Sequence, residues 1–417
     1  MYSARFVSVA CFGLVLTATS ARADVELIAQ GTIPGTARDL SGLKEMITPD
    51  CPHDRLGAFG SAIDYTGKDD LYWAVADRGP LDGASGYRCR MHLMRFRMTP
   101  GSDGKPGTIE TEVLRTVMLT SESGLGLMGG TKYLNPMDGA ASRRFDPEGA
   151  RLARSGESIF LSDEYGPHID EFALDGRRVR RIPIPGPAGI ENHSADPALE
   201  MPPRNRSGRQ PNRGFEGLAI SPDGTTLWTL PQSPLIQDGG LDDKLDRAGI
   251  NIRVVAIDLA SGSTRQYLYM LGDKSLGVNE MLAVDDRRFL TIERDGKPGS
   301  EAKIKRIMLA DFSEATEISG VEKLGKIGLP PGVTPARTET FIDLLEPRFG
   351  LAGKDFPAKI EAITFGPTLA DGRRTLLVAS DNDMKGEEAT CVWVFAFGSA
   401  ELPEKARERP LMNADGR

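Results

Sequence analysis

Four glutamates stand just ahead of short apolar runs: Glu148 in "DPEGARL", Glu216 in "GFEGLAI", Glu280 in "NEMLAVD" and Glu361 in "KIEAITF". A fifth run of the same kind, "FGSAIDY", has Ser61 in that place. Each is followed by a second apolar run that ends on polar or charged residues. These ends are Asp77 with Arg78, Asp163 with Glu164, Gln232, Glu293 with Arg294, and Asp381 with Asn382. In residues 144–167 both signals meet, since Asp146 and Glu148 open a hairpin that Asp163 and Glu164 close. Like charges brought to one place are costly unless a cation or hydrogen bonds compensate them. Hard cations such as Ca2+ take six to eight oxygens from carboxylates, carbonyls and water. The repeated acids therefore predict a divalent-metal or cationic site, calcium first. The opposing reading is an internal ring of ion pairs with Arg78, Arg213 and Arg294, each of which sits beside one of these acids.

The elements that must carry them are strands. Short runs rich in β-branched and aromatic residues, bounded by Gly, Asp, Pro and Asn, read as strands, and sustained helical periodicity is missing. The recurrence of strand, turn and strand indicates an array. With 47 glycines and 28 prolines to make turns, a β-propeller fits better than a sandwich or two separate β domains. Propeller blades are four-stranded sheets around a central channel, each about 40 to 50 residues long. Five blades are visible as motifs. Two more are expected to hide in the chain, which gives six or seven blades in a single all-β domain with loop insertions. In that arrangement the repeated acids face one mouth of the channel.

The domain is expected over residues 24–400, with a polar tail over 401–417. Residues 1–23 read as a signal segment, an apolar core followed by small residues and cleavage after Ala23. That core is shorter than the ~20 apolar residues a membrane span requires. The mature protein is thus expected in the periplasm or secreted, without a membrane span, and as a monomer. Fifty-nine acids against 51 Lys and Arg, a net charge of −8, argue against a nucleic-acid partner, which favours a basic face. In an exported chain Cys51, Cys89 and Cys391 are free to oxidise, and Cys51 with Cys89 is the preferred pair.

No GxSxG, HExxH or glycine-rich phosphate loop occurs. His168, after "DEYGP", reads as a surface-turn histidine sooner than a general base. "QDGGLDDKLDRAGIN" lacks the spacing of a calcium loop and reads as a solvated insertion. The arginine-rich stretch 202–213 reads as a surface loop sooner than a lid.

The five ordered motifs resemble the phytase-like domain family, described by an esterase-like activity. The match runs over residues 56–397. The resemblance implies an exported β-propeller-like hydrolase of ester bonds, related by its name to calcium-dependent phytases. Its motifs fall on Asp77, Arg78, Glu148, Asp163, Glu164, Glu216, Glu280, Glu293, Arg294, Glu361, Asp381 and Asn382. The third motif departs by ending on Gln232.

The chemistry expected is metal-assisted hydrolysis of a carboxylic or phosphate ester. Asp77, Asp163, Glu164, Glu280, Glu293, Glu361 and Asp381 supply metal ligands. Glu148 or Glu216 takes a proton as general base, and Arg78 or Arg294 stabilises developing negative charge. Arg213, Gln232 and Asn382 contact the substrate. Two alternatives are a non-catalytic ligand-binding or scaffold propeller and a metal-dependent lactonase.

Overall fold

A computed structural model describes residues 25–59, 62–135, 142–184, 186–398 and Leu402. The signal segment, Ser61 and the tail other than Leu402 lie outside these residues. The described chain is all-β, with short 3-10 turns and no α-helix. Its strands are β1 (Val25–Ile33), β2 (Ala62–Tyr65), β3 (Leu71–Val75), β4 (Arg90–Thr99) and β5 (Gly107–Met118). Next come β6 (Pro147–Leu152), β7 (Ser158–Asp163), β8 (His168–Ala173), β9 (Arg178–Pro183) and β10 (Phe215–Ile220). They are followed by β11 (Thr226–Pro231), β12 (Asn251–Asp258), β13 (Thr264–Met270), β14 (Gly277–Ala283) and β15 (Arg288–Arg294). The last are β16 (Lys305–Asp311), β17 (Arg337–Asp343), β18 (Lys359–Phe365), β19 (Arg374–Asp381) and β20 (Thr390–Phe397).

Consecutive strands pair antiparallel into four-stranded units: β2–β5, β6–β9, β10–β13 and β14–β17. A fifth unit is β18–β19–β20 completed by β1, which pairs antiparallel with β20. A two-residue parallel contact, Ala29 with Gly107 and Gln30 with Thr108, joins the fifth unit to the first. The first strands β2, β6, β10, β14 and β18 pack against one another in a closed order. The apolar core divides in the same way. Five large clusters each lie between two neighbouring units, the fifth joining the last unit to the first. This is a propeller-like β fold. The five recognised motifs are the first two strands of these five units, and the described residues hold no further unit, so the two extra blades have no counterpart there.

Burial explains why those ten strands were visible in the sequence. β6, β7, β10, β14 and β19 are buried at every residue, so both of their faces are packed. Outer strands such as β9 and β17 are largely exposed and carry no continuous apolar run. Loop insertions account for the remaining length, and side chains tie them down. In 186–214, Asn205 Oδ1 accepts from Glu191 N (3.1 Å) and Asn192 N (2.8 Å), and Arg209 binds Glu200 at 2.8 Å. The acidic stretch read as solvated contains Asp238, fully buried, paired with Arg253 at 2.7 Å and capping Leu324 N at 2.8 Å. The expected Cys51–Cys89 disulfide is not formed. Both thiols are buried and free, Cys89 Sγ donating to the Phe145 carbonyl at 3.3 Å.

Candidate functional site

The pairing between the first two strands slips in four units, and the slip always falls on the glutamate motif. It lies between Pro147 and Ala150, Phe215 and Gly217, Val278 and Met281, and Ile360 and Ala362. A β-bulge adds a residue and re-aims its side chain. Here it turns one side chain per unit toward the axis. The last regular pairs before each slip are Pro147↔Asp163, Phe215↔Pro231, Val278↔Glu293 and Ile360↔Ser380. Counting from them puts Glu148, Glu216, Asn279 and Glu361 at one equivalent position. Glu280 falls one place later, where the second and third units have Gly149 and Gly217. A Cβ at Gly149 would meet the Glu216 carbonyl oxygen at 2.6 Å, so neighbouring first strands approach too closely for a side chain there.

The same count makes Glu164, Gln232, Arg294 and Asp381 equivalent at the ends of the second strands. From these two sets of positions Glu148, Glu216 and Glu361, with Glu164, Gln232 and Arg294, line a cavity of about 870 Å3. Of the residues expected from sequence, Asp77, Arg78, Glu148, Glu164, Arg213, Glu216, Gln232, Arg294 and Glu361 line it. Asp163, Glu280, Glu293, Asp381 and Asn382 do not. Asp163 accepts from Asp146 N at 3.0 Å and Tyr165 N at 3.1 Å, and pairs with His168 Nε2 at 2.8 Å. Glu293 accepts from the Tyr269 hydroxyl at 2.6 Å. Asp381 pairs with Lys359 at 3.2 Å. Asn382 Oδ1 caps Ala58 N at 3.1 Å and Met384 N at 3.2 Å.

Glu280 has a separate partner. It pairs at 3.1 Å with the fully buried Arg151, whose guanidinium also donates to Ala150 O (2.6 Å), Met281 O (2.8 Å), Ile63 O (3.4 Å) and Ile363 O (3.4 Å). Arg151 therefore ties first strands of four units together across the axis. Burial raises the Glu280 carboxyl to about 8, against the pull of Arg151.

The cavity floor is electrostatically uneven. At the second unit, ligand oxygens of Asp146, Glu148 and Glu164 all lie within 4.8 Å of one another. Arg78 holds two of the three, Asp146 at 2.7 Å and Glu164 at 3.1 Å. Glu148 makes no hydrogen bond or ion pair among the described residues. Burial, followed by the charges of Glu216 and Asp146, pushes its carboxyl well above the usual range. Burial and the Asp146 charge raise Asp77 to about 8, and burial raises Asp146 to about 7. Glu216 accepts from Gln232 and, at 3.4 Å, from Asn279. Burial and the charges of Glu164 and Glu361 hold it well above its ordinary value. On the other side Arg294 pairs with Glu361, and Asn279 reaches Glu361 at 3.3 Å. Burial pushes Glu361 up, but Lys359 and Arg294 outweigh it and the carboxyl is lowered. Arg213 binds Gln232 and has no carboxylate partner among the described residues.

Three participants were given no role in the sequence reading. Asp146 was visible in the opening acidic pair. Lys359, which lines the cavity and pairs with Asp381 and Asp383, sits two residues before Glu361. Asn279 was masked by the glutamate beside it. The oxygen-only donors of Asp146, Glu148 and Glu164 suit a hard cation, and the unpartnered Glu148 is the observation that fits one. Among the described residues no helix is long and apolar enough to cross a membrane.

A secreted protein of Arthroderma benhamiae, described as uncharacterized, is 30% identical over 294 residues, covering 58% of this chain and 54% of that protein. The aligned region thus spans about half the length of that curated relative. Among solved structures, hydrazine synthase of Kuenenia stuttgartiensis matches with a TM-score of 0.34 and 12% identity, covering 82% of this chain and 80% of that one. TolB from Acinetobacter baumannii matches with a TM-score of 0.31 and 12% identity, covering 80% and 53%. The family comparison is more direct, because a family model matches residues 54–384, which take in four units and the first two strands of the fifth. The chain belongs to the phytase-like family, described by an esterase-like activity of phytase.

Proposed function

We propose that this chain is an exported, five-bladed β-propeller hydrolase of carboxylic or phosphate ester bonds, its single domain spanning residues 24–400. In this reading a calcium ion is held by Asp146, Glu148 and Glu164. The observation that carries it is Glu148, a buried carboxylate beside two others with no cation of its own. A lattice of ion pairs accounts for Arg78, Arg294 and Lys359 but leaves Glu148 and Glu216 without an ion-pair partner among the described residues. Export is supported by the signal-like residues 1–23 and by the secreted relative.

The ion would polarise the ester oxygen and lower the pKa of a water beside it. Glu216 is the general base. Neutralising the neighbouring acid cluster removes part of the repulsion that keeps its proton on, leaving it able to take a proton from the attacking water. Arg78 and Arg294 already neutralise Asp146, Glu164 and Glu361, so they position carboxylates. Arg213 remains as the cation for charge developing on the substrate. The test is a calcium titration of the purified protein, read by melting temperature and by hydrolysis of aryl acetate and aryl phosphate, with and without chelator. Calcium-dependent hydrolysis upholds the proposal. A melting shift without hydrolysis makes the ion structural, and no response to calcium sinks the metal site.

A further inference from the structure

A second cavity, of about 350 Å3, lies against the second unit. That volume falls in the range of small-molecule sites. One stretch of chain separates the two cavities, since Glu164 lines the first while Asp163 and Tyr165 line the second. The lining is opposite in sign to the acidic cluster. Arg144, His168, Arg181 and His193 all reach it, and Asp163 is its one acid among the described residues. Asp163 is already occupied by Asp146 N, Tyr165 N and His168.

The arginines are held by carboxylates that do not line the cavity. Arg144 is buried and donates to Ser194 O at 2.9 Å and to Glu200 at 3.3 Å. Its guanidinium lies over the Tyr165 ring, 4.5 Å from the centroid. That ring is fixed in turn by its hydroxyl, which donates to Gly129 O at 2.7 Å. Glu200 also pairs with the buried Arg209 at 2.8 Å. Among the described residues it is the only carboxylate paired with either guanidinium. Two buried cations thus share one anion, and a buried charge without its own partner is costly. Arg144 Nε makes no hydrogen bond among the described residues, so a donor remains together with the charge. Arg181 binds Asp170 through Nε and Nη2, at 2.8 and 2.9 Å, which leaves its Nη1.

We infer that this cavity binds a small organic monocarboxylate. One carboxylate supplies the missing charge in the planar geometry that a guanidinium favours. Leu134, Pro167 and the Tyr165 ring, also on the lining, give an apolar body a surface on which to lose water. The inference goes beyond the proposed reaction and does not depend on it.

The test is calorimetry on the purified mature chain, dialysed free of calcium, with benzoate, its uncharged analogue benzamide, and inorganic phosphate. We expect saturable binding of one benzoate per chain, with benzamide and phosphate weaker by about tenfold or more, because a charge-assisted contact or the apolar contact is lost. Arg144→Met leaves Glu200 to Arg209 and should weaken benzoate by about tenfold or more. Should that variant fail to fold, Arg181→Met, which leaves Asp170 to Arg178 at 2.9 Å, should weaken benzoate in the same direction. Arg213→Met distinguishes the two cavities. Affinity lost there and kept in the folded Arg144 or Arg181 variant would place the carboxylate in the larger cavity and overturn the inference. No saturable benzoate binding, or benzamide or phosphate bound as tightly as benzoate, overturns it as well.

Discussion

Asp77 offers a direct measure of how the acidic floor is tolerated. Its carboxyl is buried and raised from 3.8 to about 8, by burial first and by Asp146 second. A carboxyl raised on folding contributes stability that is full below its unfolded pKa and is lost as the pH climbs through its folded value. Between pH 5 and 8 one retained proton corresponds to about 1.4 kcal/mol per pH unit, so about 4 kcal/mol in all. For a domain of roughly 370 residues, ~2.1 cal/mol/K per residue gives an unfolding entropy of about 0.8 kcal/mol/K, and 4 kcal/mol becomes about 5 °C. Asp77→Asn keeps the size of the side chain and an oxygen for Gly79 N, now at 2.7 Å, but has no proton to lose. Thermal unfolding in chelator should find the gap between variant and wild type about 5 °C wider at pH 8 than at pH 5, in the variant's favour. Calcium should narrow the gap, since it relieves the same repulsion. A gap no larger at pH 8 than at pH 5 would show that Asp77 is already ionised in the folded protein and that the floor is not short of positive charge.

Glu216→Gln should lower ester turnover by about 10²–10⁴ while leaving the protein folded; full retained activity removes Glu216 as general base. Arg151→Met strands Glu280 in the interior and should cost about 3–5 kcal/mol, a fall in melting temperature of about 4–6 °C by the same entropy. Replacing Glu280 by Met as well should restore part of it, and a double variant worse than the single one refutes the pairing. Reducing agent should leave the melting temperature unchanged, because Cys51 and Cys89 are free thiols; a fall on reduction would mean they are bonded.

The motifs were legible because the first two strands of each unit are buried on both faces and their ends carry the charges. The third and fourth strands were not, since β9 or β17 alternate weakly and meet solvent. That β1 completes the unit begun by β18 depends on a pairing between distant parts of the chain, which no local pattern reports. Aligning the motifs by their glutamates placed Glu280 in the ring and missed Asn279. The register slip that separates them is a matter of strand pairing and leaves no mark in composition. Glu293 and Asp163 were placed at the metal for a similar reason. They precede Arg294 and Glu164 by one residue, and in a strand one residue is the difference between facing the cavity and facing away from it. Arg78 and Arg294 were correctly placed beside acids, but sequence adjacency could not say that those acids would claim them.

Arg151 has a consequence for how the units hold together. One guanidinium fastens first strands of four units, so the units share a common anchor at the axis, and a change at that single side chain loosens all four at once.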